Sequence, residues 1–420
     1  MFVIFHIDVN SAYLSWEAVY RLQHGSRVDL REIQAVVGGD EASRHGIVLA
    51  KSIPAKKLDI QTGETLFSAR QKCPGLVVVP PNYWLYMQCS DAMNEILRQY
   101  SPVIQRYSID ESFMHYQPPA AKLENFQEKA METAQQLKRR IREELGFTVN
   151  IGIGPNKLLA KMASEFRKPD QIHTLYRHEI AKKMWPLPVS ELFFVGRATT
   201  KKLFRYNILT IGDLAKTDPD LIHQWLKKPG LLIWQYANGL DNSQVTEQPV
   251  PVKSIGNSNT LAFDVGDRKT AHQILLALSE TVGKRIRHIE RSGRVVSVTL
   301  RSAELVTYRK QSCLEIPIDS TTLIWKEACR VFNETWKGEP LRHMGIHLSD
   351  LCSNDYCQLS LLQENDDRFK KLDQTIDRLR QRFGDAALFR GCFSHSPIQP
   401  LMGGVIQEEE AEYPMMSSYL

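Results

Sequence analysis

Short apolar runs and longer amphipathic periods alternate along the first part of this 420-residue chain. The runs at residues 2–7 and 147–153 predict buried strands. From Leu123 to Leu145 the apolar residues recur at intervals of three and four, which predicts an amphipathic helix that Gly146 ends. A further helix is predicted from Ser11 to Leu22. Strand, helix, hairpin, helix and strand in this order are typical of an α+β sheet with helices on one face.

The pattern changes after Lys168-Pro169. A mainly helical part begins at Trp185, and a turn at Gly196 separates two short apolar segments within it. The polar stretch 242–251 is typical of an interdomain linker. Beyond the linker, the spacing predicts a βαββαβ unit. Its predicted elements are a start at 253–256, a helix at 269–289, strands at 294–301 and 307–311, a helix at 321–336 and a strand at 343–348.

Length and composition are those of an ordinary multidomain protein. A chain of 420 residues suggests about three domains, and 43% of the residues are hydrophobic and 24% charged. No apolar run approaches the roughly 20 residues of a membrane span, and no signal pattern begins the chain, so we expect a cytoplasmic protein. The seven cysteines are scattered without a C-x-x-C pair, which argues against a disulfide framework and a zinc site.

Charge is unevenly distributed, although the net charge is only +5. Between Lys284 and Lys310 there are eight Lys or Arg residues and two acidic ones, a local net charge of +6. Such a run is an electrostatic footprint for a polyanion, and a solvated helix face is the alternative interpretation. A charged helix is predicted from Asp366 to Phe383, and the acidic tail beyond it is expected to be disordered.

Two adjacent carboxylates, Asp110 and Glu111, lie inside the otherwise apolar run from Val103 to Tyr116. Burying two neighbouring negative charges is unfavourable unless a cation compensates them, and both can meet one ion only at a turn or bulge. We therefore predict a hairpin tip here. Asp8 ends the first apolar run, so if the two strands pair, three acidic groups converge and suit two Mg²⁺ ions. The alternative is that each carboxylate caps a turn or pairs with a surface lysine.

Other residues near these strands are candidates for binding a nucleotide. Tyr13 follows Asp8 by five residues, so its ring can stand over a bound ligand, and core packing is the alternative. A lysine-rich turn around Lys56 can neutralise a triphosphate or simply decorate a loop. Lys157 and Lys161 lie one turn apart on a predicted helix and can both point towards the ligand edge of the sheet; the alternative is solvated lysines.

The turn at Gly196 is followed by Lys201, Lys202 and Arg205. This pattern looks like a helix-hairpin-helix, in which a Gly-containing turn brings backbone N–H groups to a DNA phosphate. A purely structural helix turn is the alternative.

Residues 38–41, Gly-Gly-Asp-Glu, echo four letters of the signature of diguanylate cyclases. Ala42 follows where that signature has an aromatic residue. The cyclase interpretation also leaves Asp8 and Asp110-Glu111 unexplained, so we discount it.

Three motifs follow one another along the chain: residues 6–13, residues 108–111, and residues 152–164 together with Lys168-Pro169. They resemble the first metal motif, the second metal motif and the third block of the Y-family DNA polymerases, in particular the DinB-like DNA polymerase IV group that copies damaged templates. The resemblance covers about residues 1 to 360. It implies a distributive, error-prone translesion polymerase that is monomeric, adds dNTPs to primer-template DNA and has no proofreading nuclease.

The resemblance also implies a two-metal site. Asp8 and Asp110 would ligate both Mg²⁺ ions with the help of the Val9 carbonyl, and Glu111 would ligate the catalytic ion beside the primer 3′-hydroxyl. The ions would lower the pKa of that hydroxyl and stabilise the charge on the phosphates. Asn10 stands where many members have a second acid, which is not expected to be an essential ligand.

For the nucleotide, the resemblance implies roles for three side chains. Tyr13 falls at the position of the steric gate, an aromatic ring that excludes the 2′-hydroxyl of a ribonucleotide. Lys161 falls at the position of the triphosphate-binding lysine. The family's Tyr-x-x-Arg arrangement aligns with Ile53 and Lys56, and a lysine keeps the charge but loses the bidentate fork.

Contacts with DNA are implied at Gly196, Lys201, Lys284 and Arg294. Phe194 occupies the first glycine position of the family's hairpin, so this chain departs from the family pattern at the phosphate contact. A last motif is similar to the peptide by which bacterial polymerases dock on the sliding clamp, with an edge strand as its alternative; it consists of Gln358, Leu359, Ser360, Leu361 and Leu362.

The expected fold class is α+β and multidomain, a right-hand polymerase with a helix-hairpin-helix thumb and a βαββαβ little finger. The expected domains are a palm at 1–10 and 77–168, small fingers at 11–76, a thumb at 169–241, a linker at 242–251, a little finger at 252–362 and a C-terminal helix and tail at 363–420. Two other functions stay open from the residues: a palm-type nucleotidyl cyclase, and a non-catalytic DNA-binding repair factor.

Overall fold

The computed structural model describes residues 2–42, 44–118, 125–247, 251–354, 367–394 and 396–401. The chain divides into two compact units, one formed by Met1–Gly39 and Ile47–Pro249 and the other by Asp40–Gly46 and Val250–Leu420. No helix in the described part of the chain is long and apolar enough to cross a membrane.

The first unit contains strands β1 to β8 and helices α1 to α10. They are β1 (Val3–Val9), α1 (Ala12–Gln23), β2 (Ala35–Gly38), β3 (Val48–Lys51), α2 (Ile53–Lys57), α3 (Leu66–Lys72), β4 (Val77–Val79), α4 (Tyr83–Arg98), β5 (Ile104–Arg106), β6 (Glu111–Tyr116), α5 (Phe126–Leu145), β7 (Val149–Gly154), α6 (Lys157–Glu165), β8 (Ile172–Thr174), α7 (Ile180–Lys183), α8 (Arg197–Arg205), α9 (Ile211–Lys216) and α10 (Pro219–Ala237).

The main sheet of this unit has the strand order β5-β6-β1-β7-β8. The central strand β1 pairs antiparallel with both β6 and β7, and β7 pairs parallel with β8. Every residue of β1 and β7 is buried, as their unbroken apolar runs predict. The register of β1 and β6 sets Asp8 opposite Glu111, which confirms the predicted pairing of the two strands.

Helices cover both faces of this sheet, so the prediction of helices on one face is wrong. Successive strand side chains point to opposite faces. On one face, His6 contacts Ser164 of α6. On the other, Ser112, which pairs with Ile7 in the register, donates a hydrogen bond to Asn94 of α4. The central strand β1 is buried along its whole length, which requires cover on both sides.

The helix predicted to begin at Leu123 runs from Phe126 to Leu145, and residues 119–124 lie outside the described part of the chain. Its buried side chains follow the predicted stripe. Gly146 ends the helix with a φ of 79°, a left-handed conformation that glycine adopts without a Cβ penalty. A smaller sheet, β3-β2-β4, and a helical core that joins α8 to α10 with α6 complete the first unit.

The second unit has the predicted βαββαβ order. Its elements are β9 (Ser254–Val265), α11 (Arg268–His288), β10 (Arg291–Ser302), β11 (Thr307–Ile318), α12 (Thr321–Thr335), β12 (Leu341–Ser353) and then α13 (Asp367–Phe383). The strands form one antiparallel sheet in the order β11-β10-β12-β9. The apolar face of this sheet packs on α11 and α12. Its other face is polar along β10, where Ser297, Thr299 and Arg301 alternate with buried apolar residues.

The predicted C-terminal helix is present as α13. The clamp-like motif at 358–362 and the acidic tail from residue 402 lie outside the described residues. Both therefore stay predictions.

Candidate active site

Three carboxylates lie together where β1 ends and β6 begins. Asp8 is next to last in β1, Glu111 is the first residue of β6, and Asp110 belongs to the turn before it. The backbone N–H of Val9 donates to the carbonyl of Asp110 at 3.0 Å, which fixes the hairpin tip against the end of β1. The predicted hairpin is present: Asp8 lies opposite Glu111, and Asp110 belongs to the adjoining turn.

A fourth carboxylate, Glu165 at the end of α6, joins this group. Carboxylate oxygens of Asp8, Glu111 and Glu165 all lie within 4.8 Å of one another. Asp110 does not belong to that set among the described residues, and its Oδ1 accepts a hydrogen bond from Ser108 Oγ at 2.6 Å. Convergent carboxylate oxygens are the donor set that Mg²⁺ prefers, so these residues fit a divalent cation.

Two lysines neutralise part of this charge. Lys161 Nζ lies 2.6 Å from Glu111 Oε2, and Lys168 Nζ lies 3.0 Å from Asp8 Oδ2. Lys168 also lies 2.8 Å from Glu165 Oε1. The sequence analysis treated Lys168 only as part of a motif and missed Glu165. Their spacing of three residues across the end of a helix is the signal that points to a shared site.

Burial and charge shift the pKa values of this group in opposite directions. Burial raises the pKa of Asp8 to about 7, against the opposing effect of Lys168. Burial likewise raises the pKa of Asp110. Burial also favours the neutral form of Glu111, but the His6 and Lys161 contacts outweigh it and hold the pKa of Glu111 below its usual range. Below about pH 7 the metal-free site therefore favours a proton on Asp8, which a divalent cation would displace.

Tyr13 stands near the start of α1 within a cluster of aromatic rings. Its ring stacks on Tyr86 with centroids 4.4 Å apart and meets Tyr83 edge-on at 6.1 Å. The hydroxyl of Tyr86 in turn donates to Glu17 at 3.1 Å. Packing and a ligand-facing role are compatible here, because these neighbours hold the Tyr13 ring in place.

The other nucleotide candidates are spread more widely. Lys56 lies in α2 and is exposed, and within the described chain it makes no ion pair with Asp8, Asp110 or Glu111. Lys157 donates to Gln105 at 2.9 Å, so it is held by the sheet. Of the two lysines predicted on α6, only Lys161 touches the carboxylates.

The Asn10 side chain makes three hydrogen bonds. Its Nδ2 donates to Asn150 Oδ1 at 3.1 Å, and its Oδ1 accepts from Thr148 Oγ1 at 3.0 Å and from the Asp170 N–H at 2.9 Å. Asn10 thus links the end of β1 to β7 and to the segment after α6. The residue that replaces the family's second acid is a buried structural link.

We expect Asn10→Asp to destabilise the protein by about 1–3 kcal/mol, because a carboxylate oxygen would then face the Asn150 carbonyl oxygen. Asn150 cannot flip to compensate, since its Nδ2 already donates to the carbonyls of Ser164 and Arg167. Denaturant unfolding at pH 7 measures the change. Asn207→Asp, at an exposed turn, is the control and is expected to stay within about 0.5 kcal/mol of the wild type. Equal stability of Asn10→Asp and the control would contradict this account.

The turn at Gly196 is open to solvent. Gly196 is the N-cap of α8, and a Cβ added to it would meet nothing within 4 Å. Lys201 is exposed on the following helix. Phe194 has a φ of 72° and is 53% exposed, so this aromatic residue adopts the left-handed conformation that a glycine would adopt. Such a conformation costs roughly 1–2 kcal/mol for a residue with a Cβ. The segment before the turn is a single 3₁₀ turn, Val189–Glu191.

The basic run of the second unit is partly used by the fold itself. Lys284 pairs with Asp385 at 2.6 Å, and its side chain is only 11% exposed. Arg285 donates to the carbonyl of Gly256, and Arg287 pairs with Asp377. Arg294 remains exposed, next to a register shift in β10.

Two further arginines of this unit were not singled out by the sequence analysis. Arg301 of β10 and Arg309 of β11 are exposed. The register pairs Thr299 with Arg309 and Arg301 with Thr307, so both arginines belong to the polar face of the sheet. The period of two along β10 is the signal that could have found them.

Comparisons with known proteins agree along nearly the whole chain. Residues 7–165 match the model of the impB/mucB/samB family, and residues 252–361 match the model of its C-terminal domain. The chain is 46% identical to DNA polymerase IV of Clostridium acetobutylicum over 389 residues, covering 92% of this chain and 97% of the relative. It is 34% identical to DNA polymerase IV 1 of Bacillus subtilis over 394 residues, covering 93% of this chain and 92% of the relative.

The fold is also similar to a solved structure. A Y-family DNA polymerase chimera built from Dbh and Dpo4 superposes with a TM-score of 0.72 and 21% sequence identity. The match covers 84% of this chain and 100% of the chimera. At this identity the likeness describes the fold.

Proposed function

We propose, from the premise that this chain belongs to the impB/mucB/samB family and is a Y-family DNA polymerase of the DNA polymerase IV group, that it extends primers by a two-metal mechanism and without proofreading. Its activity is translesion DNA synthesis on primer-template DNA with dNTPs as substrates. The observation that carries the mechanism is the position of Asp8 opposite Glu111, with Asp110 in the adjoining turn.

We assign four groups to two Mg²⁺ ions: the carboxylates of Asp8, Asp110 and Glu111 and the carbonyl of Val9. When bound, these ions would lower the pKa of the primer 3′-hydroxyl and neutralise the developing charge on the phosphates. Glu111 orients the primer end. The ring of Tyr13 packs against the sugar of the incoming nucleotide.

Lys168 is better placed than Lys161 to hold the triphosphate. The Lys161 side chain is 11% exposed, and its Nζ lies over the rings of Tyr107 and Phe193 as well as against Glu111. The Lys168 side chain is 31% exposed and lies between Asp8 and Glu165. We therefore assign Lys168 to the triphosphate and Lys161 to the support of Glu111, which departs from the role that the resemblance implies for Lys161.

Lys168→Ala is expected to raise the KM for dNTP about 10- to 100-fold, because one charge-assisted contact to the triphosphate is lost. Lys161→Ala is expected to act mainly on kcat. Steady-state incorporation of one templated nucleotide measures both parameters. Lys157→Ala, on the same helix, is the control. An unchanged KM in Lys168→Ala would remove this residue from the triphosphate site.

For the DNA we propose contacts in each unit. The open turn at Gly196 and the adjacent Lys201 would hold the backbone of the duplex. In the second unit, exposed Arg294, Arg301 and Arg309 replace Lys284, which is paired with Asp385, as the candidates for phosphate contact. The ranges assigned to palm, fingers, thumb and little finger are part of this proposal. So are docking of the clamp on residues 358–362, a monomeric state and a cytoplasmic location.

Templated single-nucleotide incorporation tests the function. We expect each template base to select its complementary dNTP, with product formed only when primer, template and Mg²⁺ are all present. Turnover of GTP or ATP without DNA would instead indicate a nucleotidyl cyclase. Salt-sensitive DNA binding without any incorporation would indicate a non-catalytic repair factor.

A further inference from the structure

His6 lies directly behind Glu111 and is completely buried. Its Nε2 atom is 3.4 Å from Glu111 Oε2, and its Nδ1 atom is 2.8 Å from Ser164 Oγ. The Nε2 atom has no hydrogen-bond partner of good geometry. A buried polar atom without a partner costs about 1–3 kcal/mol, so its position beside a proposed metal ligand requires an explanation.

The hydroxyl of Ser164 decides which nitrogen of His6 carries the proton. Ser164 Oγ has one proton and two acceptors within reach, the Lys161 carbonyl at 2.7 Å and His6 Nδ1 at 2.8 Å. If the hydroxyl donates to Lys161, Nδ1 of a neutral His6 must carry the hydrogen, and Nε2 presents a lone pair to Glu111. If the hydroxyl donates to Nδ1, Nε2 carries the hydrogen and can donate to Glu111.

The second arrangement suits an ionised Glu111, because a carboxylate accepts hydrogen bonds and cannot donate them. Lys161 and His6 both approach Oε2 of Glu111. Oε1 is therefore the oxygen available to a metal ion. Hydrogen-bond partners behind metal ligands orient them in this way, and their removal typically costs 10- to 100-fold in metal affinity or activity.

We propose that His6 is a positioning residue: held by Ser164 in the tautomer with hydrogen on Nε2, it hydrogen-bonds Glu111 and orients this carboxylate for the metal. The inference rests on the proposed function. In this role His6 does not contact the substrate.

Two amide substitutions distinguish positioning from packing. The amide nitrogen of glutamine lies about where His Nε2 lies, and that of asparagine lies about where Nδ1 lies, so only His6→Gln can donate to Glu111. We expect His6→Asn to lower kcat and raise the half-saturating Mg²⁺ concentration by about 10- to 100-fold. The KM for dNTP is expected to change by about threefold at most, and His6→Gln is expected to recover most of the loss.

Ser164→Ala supplies a second test if His6→Asn does not fold, as judged by thermal unfolding. This variant removes the hydroxyl that donates to His6 Nδ1 and fixes the tautomer. The loss of that hydrogen bond is expected to lower kcat about fivefold and to raise the Mg²⁺ requirement in parallel. Equal effects of His6→Asn and His6→Gln, or wild-type values in His6→Asn or Ser164→Ala, would overturn the inference. A wild type without templated synthesis would instead overturn the proposed function.

Discussion

Replacing Asp8 with asparagine is expected to abolish DNA synthesis and to make the metal-free protein more stable above pH 7. Asp8 is buried, and its pKa is raised from 3.8 to about 7. The folded state therefore favours the protonated acid. The stability that this proton provides is complete below about pH 4 and is lost as the pH rises through about 7. Asparagine resembles the protonated acid at every pH.

Above pH 7 the raised pKa of Asp8 lowers the free energy of unfolding, relative to its value at pH 4, by up to roughly 4 kcal/mol. Lys168 loses its partner in the variant, so we expect a net gain of about 1–2 kcal/mol at pH 8 and little change at pH 4. Activity should fall at least 10³-fold, since a proposed ligand of both metal ions is lost.

Chemical denaturation in EDTA at pH 4 and pH 8, with single-nucleotide incorporation alongside, measures both effects of Asp8→Asn. Asp29→Asn is the matched control, because hydrogen bonds from Arg31 lower the pKa of Asp29. That variant should lose stability at pH 8 and keep full activity. An Asp8→Asn protein that is active, or less stable than the wild type at pH 8, would contradict the assignment.

Tyr13→Ala is expected to raise the incorporation of ribonucleotides relative to deoxyribonucleotides about 100-fold. The Tyr13 ring is held by stacking on Tyr86 at 4.4 Å and by the edge contact with Tyr83. A ring that cannot move aside excludes a 2′-hydroxyl, and one extra hydroxyl can change discrimination by about 10².

Competing rCTP and dCTP opposite a template guanine measures this ratio. Tyr13→Phe keeps the ring and is expected to keep the discrimination, which separates the ring from its hydroxyl. Tyr83→Ala removes a neighbour of the ring and should relax discrimination less. Unchanged discrimination in Tyr13→Ala would take this residue out of the nucleotide site.

The sequence predicts the central part of the site because that part depends on strands. Unbroken apolar runs specify buried strands, and a charged pair inside such a run requires a turn and a cation. Asp8 and Glu111 accordingly face each other in the register. The βαββαβ order of the second unit follows from the same periodicities.

Residues that act across the fold depend on packing between elements, which the strand pattern does not specify. Glu165 and Lys168 reach the site because the end of α6 lies over β1, and helices on both faces of the sheet were not expected. Lys284 is neutralised by Asp385, which is distant in sequence. Local spacing also says nothing about φ, so the left-handed conformation of Phe194 was visible only in the structure.

The central claim is tested most directly by primer extension with Mg²⁺ and dNTPs. The wild type and Glu111→Ala are compared on an undamaged template and on a template with one abasic site. We expect the wild type to extend past the abasic site and Glu111→Ala to extend neither template while binding primer-template DNA as tightly as the wild type. Extension by Glu111→Ala at the wild-type rate, or a folded wild type that binds the DNA and extends neither template, would contradict the account.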